Sequence, residues 1–229
     1  MAKGSTNNDL LIAEEVSDDV ANSFSLDTHL IRVMLDEPFF AGVLRGVNFI
    51  KTSQIPTAGV LAKDGDVHMW WNPKFVAGLG DLKIKGLLKH EAMHLALDHT
   101  TSRRMDPHVI HNYATDLAIN SDIPEEELPE GGLIPGKTFK ELTPEQTEKM
   151  GPEGVARYNL ISNKIASFPK GQSSEWYFTK LMEDPDVSDA IQNPGEGEGI
   201  PGIMDDHDGW DEMSDEERDL VKGKIAKAV

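Results

Sequence analysis

Residues 89–94 read Lys89-His90-Glu91-Ala92-Met93-His94, and the fold class and the chemistry expected of the chain both follow from this motif. Apolar residues recur around it at intervals of three and four, the period of a helix with one buried face. These residues are Ile84, Leu87, Leu88 and Leu95. We therefore predict a helix from about Asp81 to His99 that carries both histidines of the motif.

Histidines four residues apart lie above one another on the same face of a helix. His90 and His94 can therefore direct two imidazole nitrogens at one point about 2 Å from each, as zinc sites require. Glu91, one position on, lies close enough to reach a water on that metal without being a ligand. Zinc lowers the pKa of bound water to about 7, and a neighbouring carboxylate can accept its proton during attack on a carbonyl. The spacing is typical of metalloproteases and predicts Zn²⁺ as the cofactor with Glu91 as the general base. The alternative is a surface helix with two solvated histidines.

A third protein ligand is needed to complete a catalytic zinc site. The best candidate lies on a second predicted helix, from about Pro107 to Asn120, where Asn112, Asp116 and Asn120 form a polar row with a spacing of four residues. A buried carboxylate requires a compensating charge, which a metal ion would supply. The polar row therefore predicts Asp116 as the third metal ligand, with Asn112 and Asn120 beside the site.

Other side chains near the motif leave alternatives open. Asp116 could instead pair with Arg103 or Arg104, in which case His111 is the alternative ligand. His99 follows the motif by five residues, so a continuing helix would rotate it away from the ligand face. His99 could support the site or bind the reaction oxyanion, and Arg103 could stabilise an anionic intermediate.

Composition excludes several classes of protein. The chain has 229 residues and no cysteine, which excludes disulfides, thiolate metal sites and a cysteine nucleophile. Its 22 Lys and Arg stand against 40 Asp and Glu, a formal net charge of −18, so we expect no nucleic-acid or anionic-membrane partner. No apolar run approaches the roughly 20 residues of a membrane span, and the N-terminus lacks the apolar segment of a secretory signal. We expect a cytoplasmic protein.

The chain divides into three predicted parts. Residues 1–24 are polar and acidic and are expected to form a flexible N-terminal arm. Residues 25–123 are expected to form the metal-binding core. Residues 124–229 are rich in Pro, Gly and acidic residues and are expected to form a loop-rich, acidic, helical part packed on the core. This acidic part is a candidate surface for a protein partner.

Within the core, two apolar runs flank a turn signal. Gly59–Ala62 and Val67–Trp71 lie on either side of Asp64-Gly65, which predicts a β-hairpin. Trp70 and Trp71 could hold a peptide by strand addition. The apolar spacing between Phe39 and Ile50 predicts a further helix before the hairpin.

Together these segments resemble a known family. The chain is similar to the metallopeptidase domain often found ahead of von Willebrand factor A-like domains in bacteria, with shorter versions in phages. The resemblance covers about residues 25–225, and the helix with the pattern Asn-x-x-x-Asp-x-x-x-Asn is what distinguishes this group from other zinc peptidases. The matching segments are Glu37–Phe40, Asn72-Pro73, Leu87–His99, Asn112–Asn120, Glu175–Leu181 and Asp205–Trp210.

The resemblance implies a zincin-like α+β fold, mostly helical, with a small antiparallel sheet or hairpin over the active-site helix. It implies an edge strand at Val67–Trp71, Asp116 as a metal ligand and a peptide or protein substrate. The sequence ends at Val229 with no von Willebrand-type segment, so a function that depends on such a module is not expected. Two other hypotheses stay open: a non-catalytic, metal-stabilised binding or scaffold module, and another metal-assisted amide hydrolase.

Overall fold

The computed structural model describes residues 16–63 and 65–193, with only the main chain described at Lys63. The nine helices of this part, in chain order, are α1 Asp18–Ser23, α2 Asp27–Asp36, α3 Pro38–Leu44, α4 Pro73–Ala77, α5 Asp81–Ala96, α6 His108–Asp122, α7 Pro144–Ala166, α8 Ser174–Met182 and α9 Pro185–Gln192. The strands are β1 Val47–Lys51, β2 Ala58–Lys63 and β3 Asp66–Trp71, and a short 3-10 helix spans Glu125–Glu127. Helices combined with one small sheet confirm the α+β class.

Much of the predicted N-terminal arm and the acidic segment after Asn193 lies outside the described residues. The division of the chain at residues 24 and 123, and the partner surface on the acidic segment, therefore stay predictions. The described residues form two compact units. We call residues 16–105 and 122–129 the sheet unit, and residues 106–121 and 130–193 the helical unit.

The sheet has the strand order β1-β3-β2. β2 and β3 pair antiparallel from Ala58↔Trp71 to Lys63↔Asp66, which confirms the predicted hairpin. β1 runs parallel to β3, with Val47 opposite Val67. β3 is therefore the central strand, and the expectation that Val67–Trp71 forms an edge is wrong. Because β3 has a strand on each side, it cannot accept a peptide by strand addition.

The prediction of a helix up to Ile50 is also wrong in its second half. Helix α3 ends at Leu44, and β1 begins at Val47. Val47 and Ile50 are three residues apart, which suits a helix, but Val47 and Phe49 are the side chains that face the core of the sheet unit. A run of only five residues cannot distinguish the two periods, so the pairing with β3 decides its structure.

Helix α5 and the inner face of the sheet share one hydrophobic core. The apolar residues that predicted α5 are its buried side, with Ile84, Leu87, Leu88 and Leu95 between 0% and 2% exposed. Val60 and Met69 from the sheet and Val33 from α2 belong to the same core. This packing fixes which side of α5 faces the core of its unit.

The helical unit has its own core, built from α6, α7, α8 and α9. Helix α7 begins at Pro144, in the part of the chain that the sequence predicts to be loop-rich. Thr143 and Gln146 form a capping box, because the Thr143 hydroxyl accepts from the Gln146 N–H and the Gln146 side chain accepts from the Thr143 N–H. The motif Thr143-Pro144-Glu145-Gln146 is thus a signal for the start of a helix. The apolar pattern does not indicate this helix, because the segment contains few hydrophobic residues. No helix within residues 16–193 combines the length and apolarity that crossing a bilayer requires.

Candidate metal centre

His90 and His94 lie one turn apart on α5, as their spacing predicts. The two Nε2 atoms are 3.0 Å apart, and the ring centroids are 4.7 Å apart. Both residues are buried, with 4% and 0% of their surface exposed. Two neutral imidazoles that ligate one ion at 2.0–2.1 Å in tetrahedral geometry place their nitrogens about 3.3 Å apart. The observed separation is within a few tenths of an ångström of that value.

Asp116 lies on α6 and is also buried, at 2% exposure. One nitrogen of His90, one nitrogen of His94 and one carboxylate oxygen of Asp116 all lie within 4.8 Å of one another. In the described part of the chain, no other three His, Asp or Glu residues come together in this way. Two imidazoles and a carboxylate form a donor set that suits Zn²⁺, so these residues fit the ion that the sequence predicts.

Glu91 is the residue between the two histidines that the sequence assigns to proton transfer. Its side chain is fully buried. Desolvation favours the neutral form of a carboxyl group, and a nearby cation favours the ionised form. A metal ion held by its neighbours would place a cation beside Glu91, which favours the ionised form that can accept a proton.

The end of α5 places His99 beside His94. Asp98 adopts a left-handed conformation with φ 62°, the His99 N–H donates to the His94 carbonyl at 3.0 Å, and the Asp98 N–H donates to the Leu95 carbonyl at 3.1 Å. These two hydrogen bonds form a Schellman motif, the usual way to end a helix with a left-handed residue. The helix thus stops before His99, and the His99 ring lies edge-on to the His94 ring with centroids 5.4 Å apart.

Contacts are also recorded for other candidate side chains. The Arg103 Nη1 donates to the Leu97 carbonyl at 3.2 Å, which holds the turn after α5. The Asn120 Nδ2 donates to the Leu133 carbonyl at 3.0 Å, a bond within the helical unit. His111 and Asn112 are buried on α6, and His111 does not belong to the group formed by His90, His94 and Asp116.

Four charged side chains that sequence reasoning missed hold the first half of α5. Lys89 donates to Glu127 at 2.9 Å and lies 3.6 Å from Glu37, while Lys85 lies 2.9 Å from Glu37 and 3.7 Å from Glu127. We call Glu37, Lys85, Lys89 and Glu127 the charge cluster. Lys89 directly precedes His90, so the cluster fixes the segment of α5 next to the candidate ligands. The spacing of Lys85 and Lys89, four residues apart on α5, is the sequence signal that could have indicated this cluster.

The charge cluster predicts a pH dependence of stability. The Lys85 ammonium lowers the pKa of Glu37, and the Glu37 carboxylate in turn raises the pKa of Lys85. A lowered carboxyl pKa contributes stability above the unfolded value of about 4.3, and this contribution is lost as pH falls through the folded pKa. The pKa of Lys85 is raised in the folded protein. Lys85 therefore contributes stability at pH values below its unfolded pKa, and this stability is lost as pH rises through its folded pKa.

We therefore expect Glu37→Gln to flatten the acid side of the stability profile, measured by urea unfolding between pH 3 and pH 7. Glu126→Gln, at an exposed position of the 3-10 helix, is the matched control. Equal acid slopes in both variants would show that the Glu37 pair does not contribute.

Comparisons with known proteins identify a family for this chain. A family model described as "Putative metallopeptidase domain" matches residues 22–201. A Thermotoga maritima protein named "Uncharacterized protein" is 30% identical over 104 residues, which cover 44% of this chain and 26% of that protein. The match thus spans about a quarter of the relative's length. No solved structure matches the chain. Because the family model covers well over half of the sequence, this protein belongs to the family described as "Putative metallopeptidase domain".

Proposed function

We propose that this protein is a zinc-dependent peptidase that hydrolyses peptide bonds with water. His90, His94 and Asp116 hold the ion, and Glu91 is the general base. The grouping of two imidazoles and one carboxylate within 4.8 Å carries the proposal, together with the family. When bound, Zn²⁺ would supply a Lewis acid that acidifies water and polarises a carbonyl oxygen.

The proton movements assign a role to Glu91. The carboxylate accepts a proton from the attacking water as the water oxygen forms a bond to the carbonyl carbon. The C–N bond then breaks, and Glu91 returns the proton to the leaving amine, so that an acid and an amine are the products. A carboxylate positioned for both transfers contributes typically 10²- to 10⁴-fold to the rate.

A second function is favoured by the burial of the centre. His90, Glu91, His94 and Asp116 are each at most 4% exposed. Structural zinc sites are closed, whereas catalytic sites keep one position open to water or substrate. A non-catalytic module in which the ion stabilises the fold would have the same three ligands, and Glu91 would then have no role in turnover.

Glu91→Gln separates these two functions. The protein is loaded with Zn²⁺, its metal content is measured, and cleavage of a peptide library is followed by mass spectrometry with and without chelator. We expect the wild type to cleave peptides, and Glu91→Gln to retain the metal while kcat falls by about 10²- to 10⁴-fold. Glu148→Gln, at an exposed position of α7, is the control and should cleave like the wild type.

Two outcomes contradict the proposal. Unchanged cleavage by Glu91→Gln would remove this residue as the base. A wild type that binds Zn²⁺, unfolds at a higher temperature with it and cleaves no peptide would establish the structural function instead.

A further inference from the structure

Strand β1 is an edge of the three-stranded sheet, because its strand partner among the described residues is β3 alone. The Thr52 N–H donates to the Trp71 carbonyl at 3.0 Å, so the main chain of Thr52 points toward β3. Successive residues of a strand point their main-chain groups to opposite edges. The N–H and C=O groups of Phe49 and Lys51 therefore point away from β3. In the described part of the chain, neither main chain forms a hydrogen bond on that side.

Strand β2, at the other edge, is closed to a partner. By the same alternation, the residues of β2 that point away from β3 are Ala58, Val60 and Ala62. These three residues are at most 1% exposed. On β1, by contrast, Ile50 is 36% exposed and Lys51 is also exposed. Of these two edges, only β1 can pair with an incoming strand.

The one charged residue of β1, Lys51, does not shield this edge. Natural proteins often block an exposed edge with a charged side chain, commonly a lysine. The Lys51 ammonium group instead donates to the Asn22 and Phe24 carbonyls at 2.8 and 2.9 Å. It also lies 5.5 Å from the centroid of the Trp71 ring, and Trp71 is the β3 residue opposite Lys51. The side chain thus folds back over the sheet and leaves the main chain of β1 open.

The sequence around β1 is basic, although the protein as a whole is acidic. Residues 38–63 contain no Asp or Glu, whereas the whole chain has 40 of them. The same run carries Arg45, Lys51 and Lys63. Arg45 lies two residues before β1, is exposed, and forms no ion pair with any residue of the described part. A strand that pairs with β1 therefore meets positive charge and no carboxylate along it, which favours an acidic partner.

We propose that an extended, acidic segment of a partner protein adds to the sheet along β1. Its main chain pairs with the outward groups of Phe49 and Lys51, and one of its carboxylates pairs with Arg45. Apolar side chains at alternate positions of the segment pack beside Ile50, since successive residues of a strand point to opposite faces. In strand addition, main-chain hydrogen bonds provide affinity and side chains provide specificity. This interaction requires neither the metal centre nor peptide hydrolysis.

A fluorescent peptide of about seven residues that alternates Glu and Val is the probe. We expect saturable binding to the full-length protein below about 1 mM, measured by fluorescence anisotropy, and weaker binding as the NaCl concentration rises. Lys replaces Glu in one control peptide, and the main-chain nitrogens are methylated in the other, so that they cannot donate hydrogen bonds. Each control should bind about tenfold more weakly or less tightly still. Binding of the probe should be equal with added Zn²⁺ and with chelator.

Two further measurements locate the bound peptide. Amide hydrogen exchange should slow at the outward N–H groups of Phe49 and Lys51, and change little at Ile50, whose N–H points toward β3. Arg45→Glu should weaken binding of the probe about 5- to 10-fold and keep the wild-type melting temperature, because the side chain is exposed. Lys170→Glu, at an exposed position of the helical unit, is the matched control and should bind like the wild type.

Four results would overturn the proposal. The first is a probe that shows no saturable binding below about 1 mM. The second is equal binding of either control peptide, and the third is loss of binding with chelator, which would place the peptide at the metal centre. The fourth is slow exchange at Phe49 and Lys51 without peptide. In that case a second copy or another segment of this chain occupies the edge, and sedimentation velocity distinguishes the two. Because none of these results depends on cleavage, the proposed peptidase function and this inference fail separately.

Discussion

Asp116→Asn is expected to weaken Zn²⁺ binding by more than a hundredfold. The variant keeps the shape of the side chain and removes the negative charge that a ligand oxygen needs. Loss of a residue that only supports a ligand typically costs 10- to 100-fold in metal affinity, so loss of a ligand should cost more. Isothermal titration of the metal-free protein, with a competing chelator of known affinity, measures the change.

The same variant should lose its response to zinc in thermal unfolding. A ligand at 100 times its Kd stabilises the folded state by about 2.7 kcal/mol, so the wild type should melt at a clearly higher temperature with excess Zn²⁺. Asp122→Asn lies on the same helix at an exposed position and should keep the full shift. If His111→Ala or His99→Ala abolishes the shift while Asp116→Asn retains it, Asp116 is not the third ligand.

Gly86→Ala is expected to destabilise the sheet unit strongly. A Cβ atom at Gly86 would overlap the Glu127 carbonyl oxygen and lie 2.5 Å from the Glu127 carbonyl carbon. The neighbour is main chain, so the contact cannot be relieved by rotating a side chain. Overpacking of this kind typically costs 1–3 kcal/mol, or more where the backbone must move. We expect a loss of about 3 kcal/mol, measured by urea unfolding.

Gly46→Ala is the control for this variant, because a Cβ atom there meets nothing within 4 Å. Its free energy of unfolding should stay within about 0.5 kcal/mol of the wild type. Gly86→Ala should also weaken the Lys89–Glu127 ion pair, since the clash pushes Glu127 away from α5. A Gly86→Ala protein as stable as Gly46→Ala would show that the 3-10 helix moves aside at little cost.

The sequence was most informative where one period ran over a long segment. Helix α5 could be predicted because Ile84, Leu87, Leu88 and Leu95 repeat with the helical period across about three turns. The polar row on α6 singled out Asp116 for a similar reason: a carboxylate on a helix with a strong apolar side must have a compensating partner. Both inferences use local spacing, which a single sequence contains.

Features that depend on distant pairing could not be predicted. Strand β1 is too short for its hydrophobic period to be recognised. Its partner β3 is separated from it in the sequence by β2, so the central position of β3 in the sheet was not predicted. The charge cluster joins residues from α3, α5 and the 3-10 helix, and Lys89 in isolation looks like an ordinary surface lysine.

The route of the polypeptide through the two units limits how the protein can be cut. The chain leaves the sheet unit after residue 105 and comes back to it at residue 122, bringing the carboxylate that neutralises Lys89. A fragment that stops at residue 105 would leave that ammonium group without Glu127 and would uncover the main chain of Gly86. A fragment extended to residue 129 would include α6 without the helices that cover its apolar side. Each unit is built from more than one segment of the chain, so neither can be expressed alone by truncating the gene at a single position. The role of each unit must therefore be mapped with point substitutions in the intact chain.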